Sequence, residues 1–168
     1  MQRTIVQLVI SYMQLSLDHM EYDIIGDIHG QASKFDFLLS KLGYTKRGPL
    51  WVPLHGRQAV FAGDLIDRGA EQLRVIDTVR GMIDAGNAMS AMGDHTFNAI
   101  GYVTAKRDGS GQFLRKHSKT NTDQHAEFLR QVEGGSALHQ GLVNWFRTLP
   151  SRLIGSEKRA IGGLPMVW

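Results

Sequence analysis

Tyr22-Asp23-Ile24-Ile25-Gly26-Asp27-Ile28-His29-Gly30 is an apolar, strand-like run that ends on Gly-Asp. The same order occurs in Ala59-Val60-Phe61-Ala62-Gly63-Asp64-Leu65-Ile66-Asp67-Arg68-Gly69 and again in Ala88-Met89-Ser90-Ala91-Met92-Gly93-Asp94-His95-Thr96. Three parallel strands would deliver the three Gly-Asp segments to one edge of one sheet, where open α/β proteins place their ligands. That edge would gather Asp27, His29, Asp64, Asp67, Asp94 and His95. So many carboxylates in one crevice would repel each other and raise one another's pKa values unless a cation sat among them. The pattern therefore points to a metal site that handles phosphate.

Between these segments the periodicity switches to that of helices. Phe35, Leu38, Leu39 and Leu42 recur at helical spacing and Gly43 supplies a stop. Residues 44–58 read as turns around a short strand, Leu50 to Leu54. A helix from about Glu71 to Ala85 carries Val75, Ile76, Val79, Met82 and Ile83 on one face. This β-α-β-α-β order predicts an α/β layered sheet with flanking helices. Further on, Thr96 to Thr104 continues the third loop as a helix, and Lys106 to Asn121 is polar and rich in Gly and Ser. Helices are expected over 123–132 and 136–149, the latter with a core stripe of Leu138, Leu142, Trp145, Phe146 and Leu149, ended by Pro150. Weak strand character is expected near Leu153-Ile154 and from Lys158 to Ile161.

Composition narrows the chemistry. The 168 residues hold no cysteine, which excludes disulfides, zinc-thiolate sites and cysteine nucleophiles. The net charge is +3, and its basic clusters, Arg115-Lys116-His117-Ser118-Lys119 and Glu157-Lys158-Arg159, lack interleaved aromatics, so a nucleic-acid partner is not expected. Ile5 to Tyr12 is too short to span a bilayer, and no small-x-small cleavage site follows it. A cytoplasmic location without a membrane partner is the expectation. Residues 1–20 read as an extension, with Met20 as a candidate initiator, ahead of a domain over 21–168.

Within the three loops the residue types divide the labour. Asp27 and His29 can converge on one ion from a turned loop, Asp64 can bridge a pair of ions, and Asp94 can complete the second. Mixed Asp/His ligation suits Mn, Fe or Zn. Arg68 can grip a phosphate with its planar fork. His95 can act as general acid if its other nitrogen is held, with Asp67 the candidate to hold it. Gly26, Gly30, Gly63, Gly69 and Gly93 are expected to let the backbone turn tightly and approach a ligand. Taken singly, Asp27 or Asp94 could equally cap a helix, and Asp67-Arg68 could be a surface ion pair. His19, His55, His117, His125 and His139 stand in no ligand-like spacing and are expected to be non-ligands.

At these residues the chain resembles the calcineurin-like metallophosphoesterases, in the phosphoprotein-phosphatase branch with its bacterial diadenosine-tetraphosphatase-like relatives. The family pattern is Gly-Asp-x-His-Gly, then Gly-Asp-x-x-Asp-Arg-Gly, then Gly-Asn-His-Glu; the first two are matched in full, over a similarity running from about Tyr22 to Pro150. The resemblance implies Asp27, His29, Asp64 and Asp94 as metal ligands, with His95, Asp67 and Arg68 in catalytic roles. It also implies two divalent ions, a phosphorylated protein or a nucleotide as substrate, and in-line attack by metal-activated water with no phosphoenzyme. The third motif departs from the pattern, reading Gly93-Asp94-His95-Thr96. Asp94 adds a negative charge at the usual Asn position, and Thr96 removes a carboxylate. No histidine follows His139, whereas the family draws further ligands from later strands of a longer domain. The expectation is thus a partial domain, C-terminally truncated, that retains one ion or two. Two readings stay open: a phosphoesterase, impaired by these departures, and a non-catalytic remnant that binds one metal or a phosphorylated partner.

Overall fold

The computed structural model describes residues 20–153. The extension over 1–19 and the tail strands near 154 and 158–161 lie outside the described residues. Five strands and five helices are described: β1 (Glu21–Ile25), α1 (Ala32–Lys41), β2 (Thr45–Arg47), β3 (Leu50–Val52), β4 (Arg57–Phe61), α2 (Gln72–Asp84), β5 (Ala88–Ser90), α3 (Asp94–Val103), α4 (Lys119–Val132) and α5 (Ala137–Phe146).

Strands β1, β4 and β5 form a parallel sheet with β4 in the centre. Central strands of parallel sheets are covered on both faces and so read as continuous apolar runs; Ala59, Val60 and Phe61 are all buried. The register pairs Ile25 with Phe61 and Phe61 with Ser90, so the three strands end level. This alignment puts the three Gly-Asp loops on one edge. Helix α2 covers the sheet with Val75, Ile76, Val79 and Met82, each at 0% exposure. Phe35 of α1 meets Phe61 edge-on at 5.5 Å between centroids, and Phe128 of α4 packs on Phe146 of α5 at 5.9 Å.

Several local expectations need correction. The short strand near Leu50 pairs with Thr45–Arg47 as an antiparallel hairpin, and all three residues of β2 are exposed. Such a strand leaves no apolar alternation to read. Leu38 and Leu138, assigned to apolar stripes, are 40% and 48% exposed. Val143, at 0%, lies in the core of α5 instead. Helix α4 starts earlier than its apolar content suggests, because Ser118 caps it by accepting a hydrogen bond from the Asn121 amide.

One buried polar cluster joins β1 to β4. Asp23, 8% exposed, accepts a hydrogen bond from the Tyr44 hydroxyl at 3.0 Å and pairs with the Arg57 guanidinium. Burial, reinforced by the Asp23 carboxylate, pushes the Tyr44 hydroxyl far above its ordinary pKa. Removing one partner of a buried pair costs about 3–5 kcal/mol when both are fully buried. Arg57 is 26% exposed at its side chain, so we expect Asp23→Ala to cost about 2 kcal/mol, discounted for solvent screening. Tyr44→Phe, which removes a single hydrogen bond, should cost about 1 kcal/mol. Urea denaturation of the two variants measures both.

Candidate metal and phosphate site

The first loop leaves β1 at Gly26 and turns back through Asp27 to Gly30. It is stitched to the second loop by main-chain bonds: the His29 amide donates to Asp64 O (2.8 Å), the Gly30 amide to Leu65 O (2.9 Å) and the Gly69 amide to His29 O (2.9 Å). Among the described residues, six non-glycine residues have positive φ, and five of them are Asp27, His29, Asp64, Asp67 and Arg68. Left-handed backbone costs roughly 1–3 kcal/mol per residue outside glycine and persists only where the surroundings over-determine it. Backbone strain is thus concentrated on the residues that carry the polar groups.

Gly30 and Gly63 take the left-handed turns expected of them, with φ +65° and +95°, and the glycines also have a packing role that the sequence did not announce. A Cβ on Gly69 would lie 2.4 Å from His29 O, and one on Gly93 would lie 2.2 Å from the Asp64 nitrogen. Cβ atoms on Gly30 and Gly63 would likewise meet the neighbouring loop, at Gly69 O (2.9 Å) and Gly93 Cα (2.4 Å). These four residues let loop touch loop. Gly26 has only Ala62 Cβ nearby, at 3.6 Å.

The side chains gather into two overlapping groups. Donor atoms of Asp27, His29 and Asp64 lie within 4.8 Å of one another, and so do those of Asp64, Asp94 and His95. Asp64 belongs to both. His29 is 3% exposed, and its Nδ1–H donates to the Ile66 carbonyl at 3.0 Å. That bond leaves the lone pair on Nε2, which is buried, has no hydrogen-bond partner among the described residues, and lies 3.4 Å from Asp27 Oδ1. Asp64 Oδ1 is likewise buried without a partner. Two orphaned acceptors beside a third acceptor lack a positive charge, and a second hydrogen bond that fixes the tautomer is how metal-ligating imidazoles are held. The residues present therefore fit a divalent cation.

The electrostatics agree. Burial first, and then the neighbouring Asp94 carboxyl, push the Asp64 carboxyl above its ordinary pKa. Asp94 moves the other way, held down mainly by the hydrogen bond from Asp64. Mutual elevation was the expectation; instead Asp64 rises and Asp94 falls.

Asp67, 2% exposed, accepts from His95 Nδ1–H at 2.7 Å. The His95 ring stands edge-on to His29 at 4.8 Å between centroids. Arg68 is exposed and forms no ion pair with the described residues, including its neighbour Asp67. Neither aspartate caps a helix: Gln31 occupies the cap of α1, and Asp94 is the first residue inside α3 after Gly93. Thr96, where the family pattern has a carboxylate, is buried with its hydroxyl donating to Gly93 O at 2.8 Å.

Of the later histidines, none joins either group. His117 bonds Tyr102 O through Nε2 at 2.8 Å, and His139 Nδ1 accepts from the Gly135 amide at 2.9 Å. His125 is likewise outside both groups, but it has a partner that its spacing does not disclose: its Nδ1–H donates to the second Asp67 oxygen at 2.8 Å. A signal existed, since His125, Phe128 and Val132 share one buried helical stripe and a histidine on such a stripe needs a polar partner.

The calcineurin-like phosphoesterase family model matches residues 20–163. This chain belongs to that family. It is 45% identical over 76 residues to the asymmetrical bis(5'-nucleosyl)-tetraphosphatase PrpE of Anoxybacillus flavithermus, covering 45% of this chain and 31% of the relative. It is also 45% identical over 84 residues to the PrpE of Bacillus subtilis, covering 50% and 34%. The chain thus spans about a third of the length of the curated relatives it matches. A solved structure of a candidate diadenosine tetraphosphatase superposes with a TM-score of 0.47 at 20% identity, over 79% of this chain and 44% of that one. The parallel sheet with flanking helices is the α/β architecture read from the sequence. No helix among the described residues is long and apolar enough to cross a membrane.

Proposed function

We propose that residues 21–168 form a metal-dependent phosphoesterase unit that cleaves a nucleoside polyphosphate in the cytoplasm. The observation that carries this reading is the buried, unpartnered Nε2 of His29 beside Asp27 and Asp64, one ring away from the His95–Asp67 pair. Asp27, His29 and Asp64 would hold one ion, and Asp64 with Asp94 a second, with Mn, Fe or Zn suited to the donor set. A bound divalent ion supplies Lewis acidity and a water of lowered pKa. The chain's own residues do the rest. Asp67 holds His95 through Nδ1–H, so that His95, when protonated on both nitrogens, gives the Nε2 proton to the departing oxygen and keeps the Nδ1 proton on the bond to Asp67. Arg68, free of intramolecular ion pairs among the described residues, neutralises and orients the phosphate. The names of the relatives favour a dinucleoside tetraphosphate over a phosphoprotein.

The test is turnover of a bis(5'-nucleosyl) tetraphosphate and of a phosphoserine peptide with manganese, iron or zinc, alongside metal content per chain. We expect the nucleotide to be preferred and His95→Ala to lower kcat by roughly 10²–10⁴-fold, the range for a general acid. Turnover of neither substrate with any of the three ions would leave the non-catalytic, metal-binding reading in its place.

A further inference from the structure

Asp67 is held from both sides. Its Oδ2 accepts from His95 Nδ1–H at 2.7 Å, and its Oδ1 accepts from His125 Nδ1–H at 2.8 Å. Asp67 and His125 are each 2% exposed, and His125 sits on α4, 58 residues further along the chain. The helix is docked on this loop by a second contact. Gln131 Oε1 accepts from the Gln72 amide at 3.0 Å, and its Nε2 donates to Ala70 O at 2.9 Å. The His125 ring is wedged between Tyr102 (5.2 Å) and Phe128 (4.9 Å), which leaves it little freedom to turn.

We propose that His125 is a positioning residue that locks the Asp67 carboxylate so that its other oxygen stays aimed at His95. The inference rests on the phosphoesterase reading above for its kinetic consequence, but its geometry stands apart from it. A buried carboxylate with one oxygen bonded and one bare would lose a charge-assisted bond and gain a rotational freedom. His125 removes both defects. Its Nε2 is buried with no partner among the described residues, so the tautomer that strands no N–H is the one protonated on Nδ1 alone. In that form it contributes a donor without contributing a cation. The full charge of Asp67 is then left to polarise His95, which a second ion pair would have shared. A lysine or arginine at the same place would hold the carboxylate as firmly and drain it.

Two measurements test this. Long-range ¹H–¹⁵N correlation spectra of the imidazoles in the metal-free chain, taken where both rings are uncharged, report which nitrogen carries the proton and require no substrate. We expect Nδ1–H on both His95 and His125 in the unmodified chain. We expect His125→Leu to leave His95 mixed between its two tautomers and His125→Asn, which retains a donor, to restore the single form. In turnover, His125→Leu should lower kcat by roughly 10–100-fold, the usual effect of a second-tier partner, with KM changed less than about twofold. His125→Asn should recover most of the loss. An Nε2–H tautomer on either ring of the unmodified chain overturns the proposal, as does a His125→Leu chain with unaltered His95 tautomer and kcat. Should His125→Leu fail to fold, the unmodified spectra and the Asn variant decide. A chain inactive on every phosphoester defeats the functional reading alone, since the spectra still answer the question of position.

Discussion

Asp64→Asn is expected to abolish the thermal stabilisation that a divalent ion gives this chain without lowering the melting temperature of the ion-free form. Asp64 is the one residue common to both donor groups, so its substitution weakens every ion the site can hold. Replacing a directly ligating carboxylate should cost more than roughly 100-fold in affinity, the upper end for a partner one shell further out. For the unmodified chain, ion at about 100 times its Kd adds about 2.7 kcal/mol, which corresponds to a rise of roughly 5–10 °C for a chain of this length. The ion-free comparison carries the opposite sign. Asp64 is partly buried beside Asp94, and its raised pKa records the cost of charge there. An amide relieves that cost, so ion-free Asp64→Asn should melt at the same temperature or higher. A substitution that merely damaged the fold would lower both curves together. Differential scanning calorimetry with and without manganese separates the two outcomes.

The parts of this site that the sequence disclosed are those set by local rules. Apolar runs that stop at Gly-Asp gave β1, β4 and β5, and the level ends of parallel neighbours then placed Asp27, Asp64 and Asp94 together. The parts it withheld depend on partners far along the chain. Leu38 and Leu138 satisfy helical spacing, yet whether a helix face is covered depends on what packs there, and both stay exposed. His125 reaches Asp67 only after α4 is laid across the second loop, which no spacing in the sequence announces. The glycines show the same limit most sharply. Their positions and turns were legible, but one purpose was not, because the atoms they make room for belong to another loop.

That purpose makes Gly93→Ala the second large effect. Gly93 has φ −80° and ψ 170°, a backbone that alanine adopts freely, so local propensity predicts no penalty. The obstacle is tertiary. An alanine Cβ would stand 2.2 Å from the Asp64 nitrogen, 2.5 Å from Asp64 Oδ1 and 2.9 Å from Gly63 Cα. The first and third of these are backbone atoms, and Gly63, with φ +95°, has no easy alternative conformation. The second and third loops must therefore separate. Overpacking costs typically about 1–3 kcal/mol, and contact with backbone puts this site at or above the upper end. The same separation pulls Asp64 away from Asp94, so ion binding should fall along with stability, whereas in Asp64→Asn it falls alone. Gly141, inside α5, supplies the control. It has open space where a Cβ would go, so Gly141→Ala should stabilise the chain by about 0.5–1 kcal/mol by the ordinary helix preference. Opposite signs for one chemical change at two glycines would tie the first loss to the contact between loops and to nothing intrinsic to alanine.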